Sequence, residues 1–103
     1  MGYIVELGEI YLAGNYKRER IAFVKGSGTR LFTEDGEEYL DFTSGIAVCN
    51  LGHSHPELIE ILQTQAKLLW HTSNLYYTAP QAKLAKKLVD LSFAERGFFA
   101  NSG

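Results

Sequence analysis

The chain has 103 residues, 46% of them hydrophobic and 21% charged, with a formal net charge of −2. It is long enough for one modest core and reads as an ordinary globular sequence, not a disordered or fibrous one. That balance offers no concentration of Lys and Arg for nucleic acid or an anionic membrane, so neither is expected as a partner.

The uncharged run Phe42 to Leu51 is about half the length a spanning helix needs. The single cysteine, Cys49, cannot close an internal disulfide, which points to a reducing compartment such as the cytoplasm. No basic segment followed by an apolar one opens the chain, so no secretory signal is read there.

Residues Ile4 to Ala13 carry apolar side chains at mixed spacing around Gly8, and they predict a short helix or an irregular arm. Ile21 to Lys25 predicts a strand, rich in β-branched and aromatic residues. Gly26-Ser27-Gly28 supplies a turn, Thr29 to Thr33 a second strand, and Glu34-Asp35-Gly36-Glu37 a hairpin connection. Glu38 to Phe42 completes a three-stranded antiparallel meander, too small to stand alone without helices over one face.

Ser54-His55-Pro56-Glu57 has the spacing of a capping box, with Ser54 as N-cap and Glu57 reaching back to it. The helix it opens is expected to run from Pro56 to about Trp70, with Leu58, Ile61, Leu62, Ala66 and Leu69 on its apolar face. Thr78-Ala79-Pro80-Gln81 repeats the pattern for a helix to about Leu91. There Leu84, Ala85, Leu88 and Leu91 face inward and Lys83, Lys86 and Lys87 outward. His71 to Tyr77 is a polar and aromatic connector, and a domain boundary fits best near Thr78.

Arg96 to Ala100 reads as a buried strand. A polar loop directly after a strand normally leads onward, so the chain is expected to be the front portion of a longer protein. The alternative is a small α+β domain with a frayed tail.

Several residues are chemically suggestive. A strand ending in Asn101-Ser102-Gly103 would offer backbone N–H groups and a hydroxyl to an anion, and a following helix would strengthen that preference. A plain turn explains the same residues. His53 and His55 form an H-x-H pair, but no further His, Cys, Asp or Glu at ligand spacing completes a metal site, which leaves a packed or cap-supporting pair. Cys49 lacks the partners of an activated nucleophile and reads as a small core residue. Tyr76 and Tyr77 suit either a pocket wall or a lid over the core. The three lysines of the last helix form a solvated face.

Tyr39 to Pro56, together with His71 to Tyr76 and Phe98 to Gly103, resembles the corresponding motifs of class III pyridoxal-phosphate aminotransferases. Within that class the likeness is greatest to the members that act on acetylornithine. Gly28 to Tyr39 is similar to that family's N-terminal hairpin, and the resemblance runs from about Tyr11 to the end. It implies an α/β protein of fold type I, α+β in this N-terminal part. Residues 1–77 would belong to the small domain, and 78–103 would open the large domain up to its phosphate loop.

The resemblance further implies pyridoxal 5′-phosphate as cofactor, with Ser102 and Gly103 at its phosphate. Gly45 and Ile46 would line the substrate channel, and Asn74 and Tyr76 would lie close to the active site at a homodimer interface. It implies transfer of an amino group from N2-acetyl-L-ornithine to 2-oxoglutarate, in arginine biosynthesis. Ornithine, 4-aminobutyrate and succinylornithine relatives share much of the pattern. The family's Schiff-base lysine lies beyond Gly103, so no catalytic residue is expected in these 103, and the fragment alone is expected to be inactive. The readings outside the family are a stand-alone phosphate-binding module and an inert remnant.

Overall fold

The computed structural model describes residues 2–103, which divide into two compact units, one ending at Lys67 and the other spanning Leu68–Gly103. The first unit opens with helix α1 (Tyr3–Tyr11). A bidentate pair between Arg20 and Glu9, with Nε to Oε1 at 2.9 Å, ties this helix to the segment ahead of the sheet. Both side chains are about half exposed, so the pair contributes ~1 kcal/mol at most.

The sheet is the expected antiparallel meander in the order β1 (Phe23–Ser27), β2 (Arg30–Thr33) and β3 (Glu38–Leu40). Its first turn lies later than the glycine pattern suggested. Gly26 and Ser27 belong to β1, Ser27 pairs with Arg30, and the connection is the two residues Gly28-Thr29. Gly28 takes φ 57°, the positive value that the first central position of a type II′ hairpin turn requires. The second turn is a three-residue loop. The Gly36 N–H donates to the Thr33 carbonyl at 3.0 Å, and the Thr33 N–H to the Glu37 carbonyl at 3.0 Å.

Val24 sits in a bulge between the paired residues Phe23 and Lys25. The rings of Phe23 and Tyr39 meet edge to face with centroids 5.4 Å apart. Arg30 and Glu38, diagonal neighbours on adjacent strands, form an ion pair. Strand β3 stops at Leu40, short of the expected Phe42, because the Asp41 side chain bonds the backbone ahead of it and turns the chain out of the sheet.

A single turn, α2 (Ser44–Ala47), and the helix α3 (Pro56–Ala66) follow. The cap of α3 is His55, not Ser54: His55 Nδ1 accepts from the Glu57 N–H at 3.2 Å. Ser54 takes φ 55° and lies outside the helix, which removes it from capping position. The helix also ends earlier than expected. The Lys67 N–H bonds back to the Thr64 carbonyl at 3.3 Å, a tightened last turn that leaves Leu69 and Trp70 beyond the end.

In the second unit, α4 (Ala79–Asp90) starts after Thr78 as expected, with Pro80 in its first turn, although Thr78 makes no side-chain capping bond. Lys86 pairs with Asp90 one turn on. Ala85 and Val89 are its half-buried residues, whereas Leu84, Leu88 and Leu91 are exposed. Residues 96–100 form neither a strand nor a buried segment, since Phe98 is 87% exposed. A strand exists only by pairing, and the described second unit contains no other strand for it to pair with.

No described residue in either unit is buried. The accessible surface is 9653 Å² for 11.5 kDa, against ~5,800 Å² for a folded monomer of that mass. The apolar faces of α3 and α4 exist but are uncovered, so hydrophobic burial within these residues cannot offset chain entropy. The isolated 103-residue chain is therefore expected to show helical far-ultraviolet dichroism, a flat near-ultraviolet spectrum and no sigmoidal urea transition. A cooperative transition of that chain alone would refute this.

Candidate functional site

Around Asp41 the sheet, a loop and a histidine come together in the first unit. The Asp41 N–H donates to the Thr29 carbonyl at 2.8 Å, which keeps the residue registered against the first turn of the meander. Asp41 Oδ1 then accepts three hydrogen bonds: the Thr43 N–H at 3.0 Å, the Thr43 hydroxyl at 2.9 Å and the Ser44 N–H at 2.8 Å. Its other oxygen, Oδ2, lies 2.6 Å from His53 Nε2. The Asp41 side chain is only 4% exposed, and a carboxylate so withdrawn from water must be paired and hydrogen-bonded to stay charged.

His53 is fixed independently through its backbone. Its N–H donates to the Gly28 carbonyl at 2.8 Å, and its carbonyl accepts from the Gly28 N–H at 2.9 Å. The imidazole lies against Gly26, where an added Cβ would come within 2.7 Å of the His53 Cβ and Cγ. Gly52 likewise lies against Gly28, with 3.0 Å from its would-be Cβ to the Gly28 carbonyl oxygen. Glycines at 26 and 52 thus let the chain close on the hairpin.

The His53 ring above all, and then the Ser44 N–H, hold the Asp41 carboxyl down to about 2, below its ordinary 3.8. Asp41 is therefore ionised at neutral pH and can only accept, so the proton between the two side chains resides on His53 Nε2.

The carboxylate anchors the start of a turn of unusual hand. Ser44 (φ 55°), Gly45 (64°), Ile46 (61°) and Ala47 (62°) all lie at positive φ. Three of the four carry side chains, and each such residue costs on the order of 1–2 kcal/mol. The turn is held by the Ala47 N–H on the Thr43 carbonyl at 3.0 Å, and by the Val48 and Cys49 N–H groups on the Ser44 carbonyl at 2.8 and 2.9 Å. At its apex Ile46, a β-branched residue for which positive φ is a clear outlier, is 90% exposed. Backbone strain of this kind clusters at functional sites.

Gly45 and Ile46 therefore sit on this turn, while the other residues assigned to the cofactor or substrate, Asn74, Tyr76, Ser102 and Gly103, lie in the second unit. Asn74 and Tyr76 follow Ser73, which takes φ 67°. They line a groove of about 450 Å³ with Tyr77, Gln81, Phe98 and Phe99. Tyr77 is fully exposed and covers nothing.

Ser102 and Gly103 lie past the end of that groove, among the exposed residues. Their backbone N–H groups have no hydrogen-bond partner among the described residues, and the Ser102 hydroxyl donates only a long bond, 3.4 Å, to Asn101 Oδ1. A Cβ added to Gly103 would meet nothing within 4 Å. Both residues thus leave their donors open to solvent.

Cys49 is half-buried. His55 is occupied by its helix cap, and His53 by Asp41. Asp41 escaped the sequence reading, which treated it as the end of a strand. Its signal was the spacing Asp-x-Thr-Ser, in which an acidic side chain can cap the two N–H groups that follow.

Comparison with known proteins adds the family. The model of the family described as "Aminotransferase class-III" matches residues 11–103. An acetylornithine aminotransferase of Brucella melitensis is 53% identical over 92 residues, which make up 89% of this chain and 23% of that protein. The crystal structure of acetylornithine aminotransferase from Elizabethkingia anophelis superposes with a TM-score of 0.86 at 32% identity, over 91% of this chain and 24% of that one. The ornithine aminotransferase of Toxoplasma gondii superposes with a TM-score of 0.84 at 26% identity, over 90% and 22%. The chain thus spans about a quarter of the length of the relatives it matches.

The low carboxyl value carries a pH consequence. A group whose folded value is depressed contributes stability above its ordinary value and loses it as pH falls through the folded one. The turn's anchorage is therefore complete above pH 3.8 and lost as pH falls through about 2. Titration of the Asp41 carboxyl carbon by NMR in the intact protein is expected to give an apparent value near 2, and one at or above 3.8 would remove the Asp41–His53 hydrogen bond from this account.

Proposed function

The chain belongs to the class-III aminotransferase family, of fold type I, and on that footing we propose that the intact protein is an acetylornithine aminotransferase. It would transfer an amino group from N2-acetyl-L-ornithine to 2-oxoglutarate, with pyridoxal 5′-phosphate as cofactor, in arginine biosynthesis. The observation that carries this reading is the 53% identity to a relative of that name. We assign residues 1–77 to the small domain and 78–103 to the beginning of the large one. The Schiff-base lysine belongs to the part of the protein beyond Gly103. The working form is a cytoplasmic homodimer with no nucleic-acid or membrane partner. Among the described residues no helix is long and apolar enough to cross a membrane.

Each candidate residue then has a task. Ser102, through its hydroxyl and N–H, and Gly103, through its N–H, donate to the cofactor phosphate; their unpartnered donors support this role. Gly45 and Ile46 form a wall of the substrate channel, and the strained, exposed turn that carries them supports that assignment. Asn74 and Tyr76 bind near the substrate at the dimer interface, a role consistent with the groove they line. The cofactor, when bound, supplies an electron sink for the carbanion of the amino donor. The residues in hand hold and orient; none of them moves the transferred proton.

A second donor reading is favoured by one observation, the superposition on an ornithine aminotransferase. Glutamate formation by the purified intact protein separates the two: N-acetylornithine is expected to be used in preference to ornithine, 4-aminobutyrate and succinylornithine. A preference for any of these would replace the substrate, and no glutamate with any of them would sink the proposal. The 103-residue chain alone is expected to form none above a boiled control. Ser102→Ala in the intact protein is expected to weaken cofactor binding roughly tenfold, the scale of one hydrogen bond to a charged group, as read by fluorescence titration.

A further inference from the structure

The exposed left-handed turn and the carboxylate behind it are separate observations that meet at Ser44. We infer that Asp41 and His53 are positioning residues for the substrate: their pair sets the conformation of Ser44–Ala47 and so the place of Gly45 and Ile46. The inference rests on the proposed role of Gly45 and Ile46 in the substrate channel, and goes beyond it by naming what shapes that wall.

Four features carry the argument. First, Ser44, Ile46 and Ala47 would each relax toward negative φ if released, because L-residues other than glycine disfavour the left-handed region. Second, the Asp41 carboxylate engages both N–H groups at the start of the turn, those of Thr43 and Ser44, at 3.0 and 2.8 Å. Third, the carboxylate cannot swing away, since its other oxygen is held 2.6 Å from His53 Nε2. Fourth, His53 is itself locked to Gly28 by two backbone bonds and to Gly26 by close packing. The hairpin, which is paired along its length, thereby serves as the rigid base against which the strained turn is braced.

Among the described residues, the other aromatic, acidic and basic surfaces have no such convergence. The apolar groove beside α1, for instance, has nothing in the structure to say what covers it.

The test uses the intact, cofactor-loaded protein and steady-state kinetics with the amino donor. Asp41→Ala removes all four side-chain bonds and is expected to raise KM roughly tenfold while leaving kcat within about twofold, since the loss falls on substrate placement and not on the reacting atoms. Adding Ala47→Gly to that variant is expected to recover at least about threefold of the loss, because glycine takes positive φ without penalty. Because a glycine there also removes strain from the fold as a whole, the deciding readout is the rise in KM at nearly unchanged kcat, which a role in general stability alone would not produce.

Ile46→Ala separates this inference from the reading beneath it. If Ile46→Ala raises KM and Asp41→Ala does not, the positioning role falls and the substrate wall stands. If Ile46→Ala leaves KM unchanged, the wall assignment falls and the inference with it. A raised KM in Asp41→Ala that Ala47→Gly fails to improve also overturns the inference. Should Asp41→Ala not fold, His53→Gln, which spares the two N–H caps, is expected to raise KM by about threefold; an unchanged KM there counts against the role of the pair.

Discussion

One carboxylate links the parts of the first unit. Asp41 ends the meander, starts the turn that follows it and holds the histidine that closes the loop on the first hairpin. Each bond alone is a modest contribution, larger where the acceptor is charged. Their convergence on one ionised group makes them interdependent, because losing any donor leaves a largely desolvated charge less well matched. The left-handed turn is the beneficiary. Its own three backbone bonds close it but do not choose its hand, and the caps at Thr43 and Ser44 are what bias the choice.

Around that site the fold is open. The sheet has three short strands, and α3 and α4 present Leu58, Leu62, Leu84 and Leu88 at between 42% and 68% exposure. These are amphipathic elements whose apolar faces have no counterpart in the described residues, which agrees with a chain spanning about a quarter of its relatives' length. Local order here comes from turns, caps, strand pairing and a few side-chain pairs. Packing, which normally supplies most helix stability, has to come from elsewhere.

What could be read from the sequence follows the same division. The meander and the helix starts near Pro56 and Ala79 were legible, because alternation, Asp-Gly and Pro placement are local signals; the family was legible only through the resemblance of Tyr39–Pro56, His71–Tyr76 and Phe98–Gly103 to its motifs. The strand expected at Arg96 to Ala100 was not there, since its apolar run needs a neighbouring strand that the described residues lack. Moving the cap from Ser54 to His55 depended on a backbone angle, φ 55° at Ser54, that residue identity does not betray. The Asp41–His53 contact joins residues twelve positions apart; the Asx spacing hinted at the caps, but only the folded hairpin brings the imidazole to the second oxygen.

The close approach of Gly26 to His53 has an evolutionary corollary. With 2.7 Å between a would-be Cβ and the histidine, any side chain at 26 must displace the ring, and a displaced ring abandons Asp41. Drift at these three positions is therefore coupled: lineages that give up the glycine should also have given up the histidine and the acid, and should set the turn at Ser44–Ala47 by some other brace.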